Sequence, residues 1–209
     1  MIRLFWAPPA VGLAVALIAM PAAAADAILG VYAHDVTFLG DALGIGSAGR
    51  ENGDGADIEI GVRSDRIDWL SWIGRPQAHA FMSLNTDGLS NFGAIGLSWP
   101  IKITHTFYVR PGLGLALTDG KAGLPAVNAP GLTPDQIARR LDAFEHRIDF
   151  GSKELFEPEI NFGAHLSRRF DAELSWVHIS NGEIFHHGKN QGLDDAGLRL
   201  IYRFGPHGG

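Results

Sequence analysis

Apolar and polar residues alternate along most of this chain, in runs of about ten, the length of a strand that crosses a membrane. The last run is the clearest. In DDAGLRLIYRF (194–204), Ala196, Leu198, Leu200, Tyr202 and Phe204 share one face, while Asp195, Arg199 and Arg203 share the other with Ile201. Period two marks a strand. Similar runs occupy 28–37, 56–64, 77–85, 91–99, 106–118, 155–167 and 171–180. In the second, Ile58, Ile60 and Val62 oppose Asp57, Glu59 and Arg63. Pro111 weakens the fifth, because proline donates nothing to a ladder. Eight such strands predict an all-β fold, an eight-stranded antiparallel transmembrane β-barrel with lipid outside and a polar lumen. A soluble β-sandwich would also alternate, but it would have no use for arginines on a strand's inner face.

The connections predict an orientation. With an even strand count both termini face the periplasm, and the longer loops lie outside. Those are the Gly/Asp-rich stretch after the first strand, the link around Thr86-Asp87-Gly88, the segment 119–153 and NGEIFHHGKNQGL. The segment 65–76 is long for the other end, and its Trp69 and Trp72 suit a membrane interface. Within the long loop, TPDQIARRLDAFEHR (133–147) reads as one short helix with Thr133 as N-cap and Pro134 in the first turn. Ile137, Leu141 and Phe144 recur at helical spacing, which suggests a cap over the barrel or a cover for a substrate groove.

Composition sharpens this picture. The start reads MIRLFW, then PPAVGLAVALIAM, then PAAAAD: a charged segment, a short apolar run and a small-residue cleavage site. We expect a signal peptide over 1–25 and a barrel domain over 26–209. The chain has no cysteine, which excludes disulfides, thiolate zinc sites and a cysteine nucleophile. Charged residues are sparse at 19 %, and with a net charge of −6 and no basic run nothing suggests nucleic acid.

Candidate chemistry sits at the end of the seventh strand, in LSWVHISNGEIFHH (174–187). Leu174, Trp176, His178 and Ser180 share the outward face. Near the interface a polar pair facing lipid costs only about 0–1 kcal/mol. An imidazole two residues from a hydroxyl on one strand face can take its proton, His178 acting as general base and Ser180 as nucleophile. A third group must orient the histidine. Asp194 opens the eighth strand with outward parity and is the first choice, with Glu183 in the intervening loop as the alternative. The oxyanion donor is the Asn181 side chain or backbone N–H groups of the 181–182 turn. His186 and His187 read as solvated loop residues without a third metal ligand.

Three runs carry a family resemblance: His178-x-Ser180-Asn181; Asn190-x-Gly192-x-Asp194; and Gly197-Leu198-Arg199-Leu200-x-Tyr202-Arg203-Phe204. Together they resemble the lipid A 3-O-deacylase (PagL) family. The close match is confined to the C-terminal part. It implies an outer-membrane esterase that hydrolyses the ester-linked acyl chain at the 3-position of lipid A. It implies a triad at His178, Ser180 and Asp194 on the outside of the barrel, Asn181 in the oxyanion hole, and neither metal nor organic cofactor. The acid is aspartate where glutamate is common, and the loop from serine to acid is longer, so Glu183 and Asp195 stay open as the acid. The expected partners are lipopolysaccharide and outer-membrane lipid, with a homodimer left open. A different lipid esterase, such as a phospholipase, and a non-catalytic structural barrel are the competing readings.

Overall fold

The computed structural model describes residues 24–37, 50–51, 55–185, 187–188 and 190–204. The expected signal peptide therefore lies outside the described residues except for its last two positions, and the expected His186 lies outside them too. Eight long strands follow in chain order: β1 (Ala24–Ala33), β2 (Ala56–Arg66), β3 (Gln77–Asn85), β4 (Phe92–Ser98), β5 (Phe107–Thr118), β6 (Glu154–His165), β7 (Phe170–Ile179) and β8 (Leu193–Arg203). Each pairs antiparallel with its neighbour in sequence, and β1 pairs with β8 to close the barrel. A two-residue strand, Ile101–Lys102, folds back on β5 at Tyr108 and Val109.

All eight expected strands form, with shifted ends. The first starts and stops about four residues earlier than its alternation suggested. The chain turns at His34 and Asp35, where Asp35 has φ 50°, and its backbone N–H donates to Asp195 Oδ1 at 3.2 Å. Pro111 lies inside β5, paired with Ile160. Its carbonyl accepts from Trp99 N–H at 2.9 Å, beyond the last β4–β5 pair, Ser98–Gly112. A residue's N–H and C=O point the same way across an antiparallel ladder, so the missing donor faces the frayed end of β4.

Burial is inverted relative to a soluble domain, and this decides against a sandwich. Leu198 is 64 % exposed while its neighbour Arg199 is 2 % exposed. Leu29, Val31, Ile60, Ile95, Leu113, Leu115, Phe162 and Leu174 are likewise exposed. Arg63, Glu59, Glu157 and Glu173 are fully buried. The apolar side chains form an outer band for lipid, and the lumen is crossed by ion pairs. Arg199 donates to both oxygens of Glu59 at 2.7 Å and to Glu159 at 2.7 Å. Arg63 and Arg110 both reach Glu173.

The lumen changes character along its axis. Toward the end that carries the long loops, here the outer end, Tyr32, Phe81, Phe92, Leu155, Val177, Ile179 and Leu193 form an apolar plug. The long loop contributes Ile148 and Phe150 to it. Helix α1 (Pro134–His146) begins with a capping box between Thr133 and Gln136. It buries no residue, and Ile137, Leu141 and Phe144 stay exposed. Capping therefore falls to the segment after the helix, which differs from the sequence expectation. At the inner end Asp68–Ile73 form a 3-10 turn that presents Trp69 and Trp72, 77 % and 78 % exposed.

Candidate active site

β7 and β8 run side by side with His178 directly opposite Asp194. That register puts both side chains on the lipid-facing wall at the outer end. His178 Nδ1 lies 2.8 Å from Asp194 Oδ1, as an imidazole N–H donating to a carboxylate. Trp176 lies one pleat below, and its Nε1–H donates to the same oxygen at 3.1 Å. The indole also stacks beside the imidazole, with ring centroids 6.0 Å apart and planes 29° apart. The acid is therefore held by two donors, one of them the candidate base. Although they face outward, Trp176, His178 and Asp194 are buried. Sequence reading placed Trp176 on this face as an apolar residue and missed its bond to the acid.

Ser180 follows β7, two residues and about 6.6 Å of rise beyond His178. It is pinned to β6: Phe156 N–H donates to Ser180 O at 2.7 Å, and Ser180 N–H to Phe156 O at 3.2 Å. Among the described residues the Ser180 hydroxyl makes no hydrogen bond to His178. Catalytic hydrogen bonds are often long before substrate binds. The structure thus joins base to acid and places the serine beside them, without closing the last contact.

The intervening loop is anchored by an amide and a glycine. Asn190 Oδ1 accepts from Gly182 N–H at 3.1 Å and closes the loop on itself. A Cβ at Gly192 would lie 2.4 Å from His178 Cε1, so the imidazole rests against bare backbone. Asn181 is fully buried. Its Nδ2 donates to Phe150 O and its Oδ1 accepts from Glu183 N–H at 2.6 Å. Gln191 and Asp149 also bond across, Asp149 N–H to Gln191 Oε1 at 2.7 Å. The β7–β8 loop is thereby moored to the Ile148–Phe150 cap.

The two alternative acids lie elsewhere. Glu183 is exposed, in a left-handed turn with φ 58°. Asp195 points into the lumen, 3.7 Å from His34 Nδ1. His187 is exposed. Next to Ser180, Phe185 stacks on Phe156 at 4.8 Å, and Ile184 is exposed. With Leu174 and Leu198 these make an apolar approach to the serine that sequence reading did not single out.

The outer mouth holds a second cluster. His34 Nδ1 lies 2.8 Å from Asp57 Oδ2, and Nε2 lies 3.2 Å from Glu51 Oε2. Burial alone would depress the His34 pKa, but the two carboxylates overcome it and raise it to about 10. Burial would raise the Glu51 carboxyl, and its bonds to His34 and Ser90, with Arg147 nearby, bring it below its ordinary value.

The fold defines a class, the small eight-stranded antiparallel β-barrels with an apolar outer band, and here the wall carries a buried histidine–aspartate pair. The sequence profile of the lipid A 3-O-deacylase (PagL) family matches residues 57–203, and the chain belongs to that family. Among solved structures, the outer-membrane enzyme PagL is similar to it with a TM-score of 0.51 and 15 % identity, covering 86 % of this chain and 100 % of that one. At that identity the likeness speaks for the fold. A comparison with curated proteins finds no match.

Proposed function

We propose that this chain is an outer-membrane serine esterase that removes the 3-O-linked acyl chain of lipid A. Ser180 attacks the acyl carbonyl. His178 takes its proton and then returns it to the leaving sugar hydroxyl. Asp194 holds the imidazole in the required tautomer and stabilises its charged form. The oxyanion donor is a backbone N–H group of the 181–182 turn beside the serine, or the Asn181 side chain, which is buried and anchored to Phe150 O. A second water-driven cycle releases the acyl group. The observation that carries this reading is the His178–Asp194 bond of 2.8 Å on the lipid-facing wall, two residues before Ser180 in the chain. A site there lets the substrate's acyl chain stay in the bilayer beside Phe156, Phe185 and Leu174. The N-terminal segment acts as an export signal removed before assembly.

The test is mass spectrometry of lipid A after incubation with purified wild-type protein and with Ser180→Ala. Loss of one hydroxyacyl chain with the wild type alone is expected. Phospholipid hydrolysis without change to lipid A would reject the substrate, and equal activity in both proteins would reject the nucleophile.

A further inference from the structure

We propose that the barrel lumen binds one divalent transition-metal ion, zinc fitting best, between His79, Glu157 and Glu159. All three side chains are more than nine-tenths buried. One ligand atom from each lies within 4.8 Å of the others. Each also has an atom without a hydrogen-bond partner among the described residues: His79 Nδ1, Glu157 Oε1 and Glu159 Oε1. Buried polar atoms are rarely left so, and three in one cluster call for a common occupant. His79 Nδ1 and Glu159 Oε1 are 3.6 Å apart, too far for a hydrogen bond. Two ligands on one tetrahedral zinc, with bonds of about 2.0–2.2 Å, stand roughly 3.4 Å apart.

The backbone is shaped for this convergence. His79, Gly96, Gly114 and Glu157 are successive register partners across β3, β4, β5 and β6. A Cβ at Gly96 would lie 2.6 Å from His79 Nε2, and one at Gly114 2.5 Å from Glu157 Oε2. At Gly112 it would lie 2.7 Å from Glu159 Oε1. Three glycines side by side leave the floor on which the donors meet. The outer edges of the ligands are held in turn. Arg199 Nη1 donates to Glu159 Oε2 at 2.7 Å, and His79 Nε2 faces Glu157 Oε2 at 3.1 Å.

Charge points the same way. Glu59, Glu157, Glu159 and Glu173 face Arg63, Arg110 and Arg199, and Arg63 is shared with Asp26, so with a neutral His79 the layer is short of positive charge. A proton on His79 or a bound cation makes up the difference, and a cation with free coordination positions also satisfies the orphan atoms. An imidazole with two carboxylates suits zinc better than magnesium or calcium. The ion ties β3 to β6 through the lumen and takes no part in ester hydrolysis on the opposite face of the wall.

The test is metal retention by the purified, folded barrel. Protein exposed to zinc sulfate and exhaustively dialysed is expected to keep about one zinc per chain by mass spectrometric metal analysis, and added zinc is expected to raise its unfolding temperature. His79→Gln and Glu159→Gln should lose both effects. Cobalt in the wild type should give visible d–d absorption that zinc abolishes, a readout that needs no variant to fold. Wild type without stoichiometric metal would overturn the proposal and leave a protonated His79 in the layer. Equal retention by His79→Gln would overturn it in favour of surface histidines such as His105.

Discussion

Two histidines of this barrel sit beside carboxylates at similar distances and do opposite things. His79 lies 3.1 Å from Glu157 inside the lumen, and His178 lies 2.8 Å from Asp194 on the wall facing lipid. Pair chemistry alone does not separate them. The face of the strand does. His79 is enclosed by guanidiniums and carboxylates, where no acyl ester can reach. His178 has a serine two residues on and apolar side chains around it. A one-residue slip in β7 would turn His178 into the lumen, because side chains alternate between faces. The lesson is that strand parity, more than the presence of a histidine–acid pair, turns a charged cluster into a candidate active site.

The strongest way to break this comparison uses the adjacent acids Asp194 and Asp195, one on each face. Asp194→Asn is expected to cut kcat by on the order of 10³–10⁴-fold, the scale at which a triad loses its orienting acid. Asp195→Asn should leave deacylation within about twofold, because its carboxylate faces His34 across 3.7 Å in the lumen. Lipid A mass spectrometry at matched folded fractions would measure both. Equal losses in the two variants would mean that the face does not decide.

A subtler change sharpens the outer region. Trp176→Phe keeps the ring beside His178 and removes the N–H that reaches Asp194 at 3.1 Å. A hydrogen bond to a charged acceptor contributes about 1.5–3 kcal/mol. Kcat is therefore expected to fall by about 10- to 150-fold with KM unchanged. A rise in KM with kcat intact would instead make Trp176 part of the acyl-chain surface.

Much of this was legible from pattern. Alternation located all eight strands, and the parity of Leu198 and Leu200 against Arg199 separated lipid from lumen. The same parity put Asp194, not Asp195, on the face of His178, where the 2.8 Å contact lies. What stayed hidden depends on contacts between residues far apart in sequence. His79 meets Glu157 only because β3 and β6 are bridged by two glycine-floored strands. The helical spacing of Ile137, Leu141 and Phe144 correctly gave a helix, but periodicity reports an apolar face without saying what covers it. The cap proved to be Ile148 and Phe150, which have no periodic signature. β1 ends early because Asp35 turns the chain toward Asp195, a contact that alternation cannot encode.

The smallest expected effect lies at the outer mouth, between the two regions compared. His34 is flanked by Asp57, Glu51 and Asp195, with Arg147 Nε in an ion pair 3.0 Å from Glu51. Its folded pKa of about 10 stands above the unfolded value near 6.5, so the proton on His34 favours the folded barrel. That contribution is complete below about pH 6.5, shrinks as pH rises, and is gone once pH passes about 10. Glu51 has the opposite sign: its lowered pKa adds stability at neutral pH that is lost as the solution is acidified through its folded value. The wild-type unfolding temperature in detergent should therefore fall between pH 7 and pH 10. A loss of about 1 kcal/mol would correspond to roughly 2–4 °C in a chain of this size. His34→Gln should start lower at pH 7 and show a flatter alkaline slope. An unchanged slope in that variant would assign the alkaline loss to other groups and leave His34 a neutral spacer at the outer mouth beside Asp195.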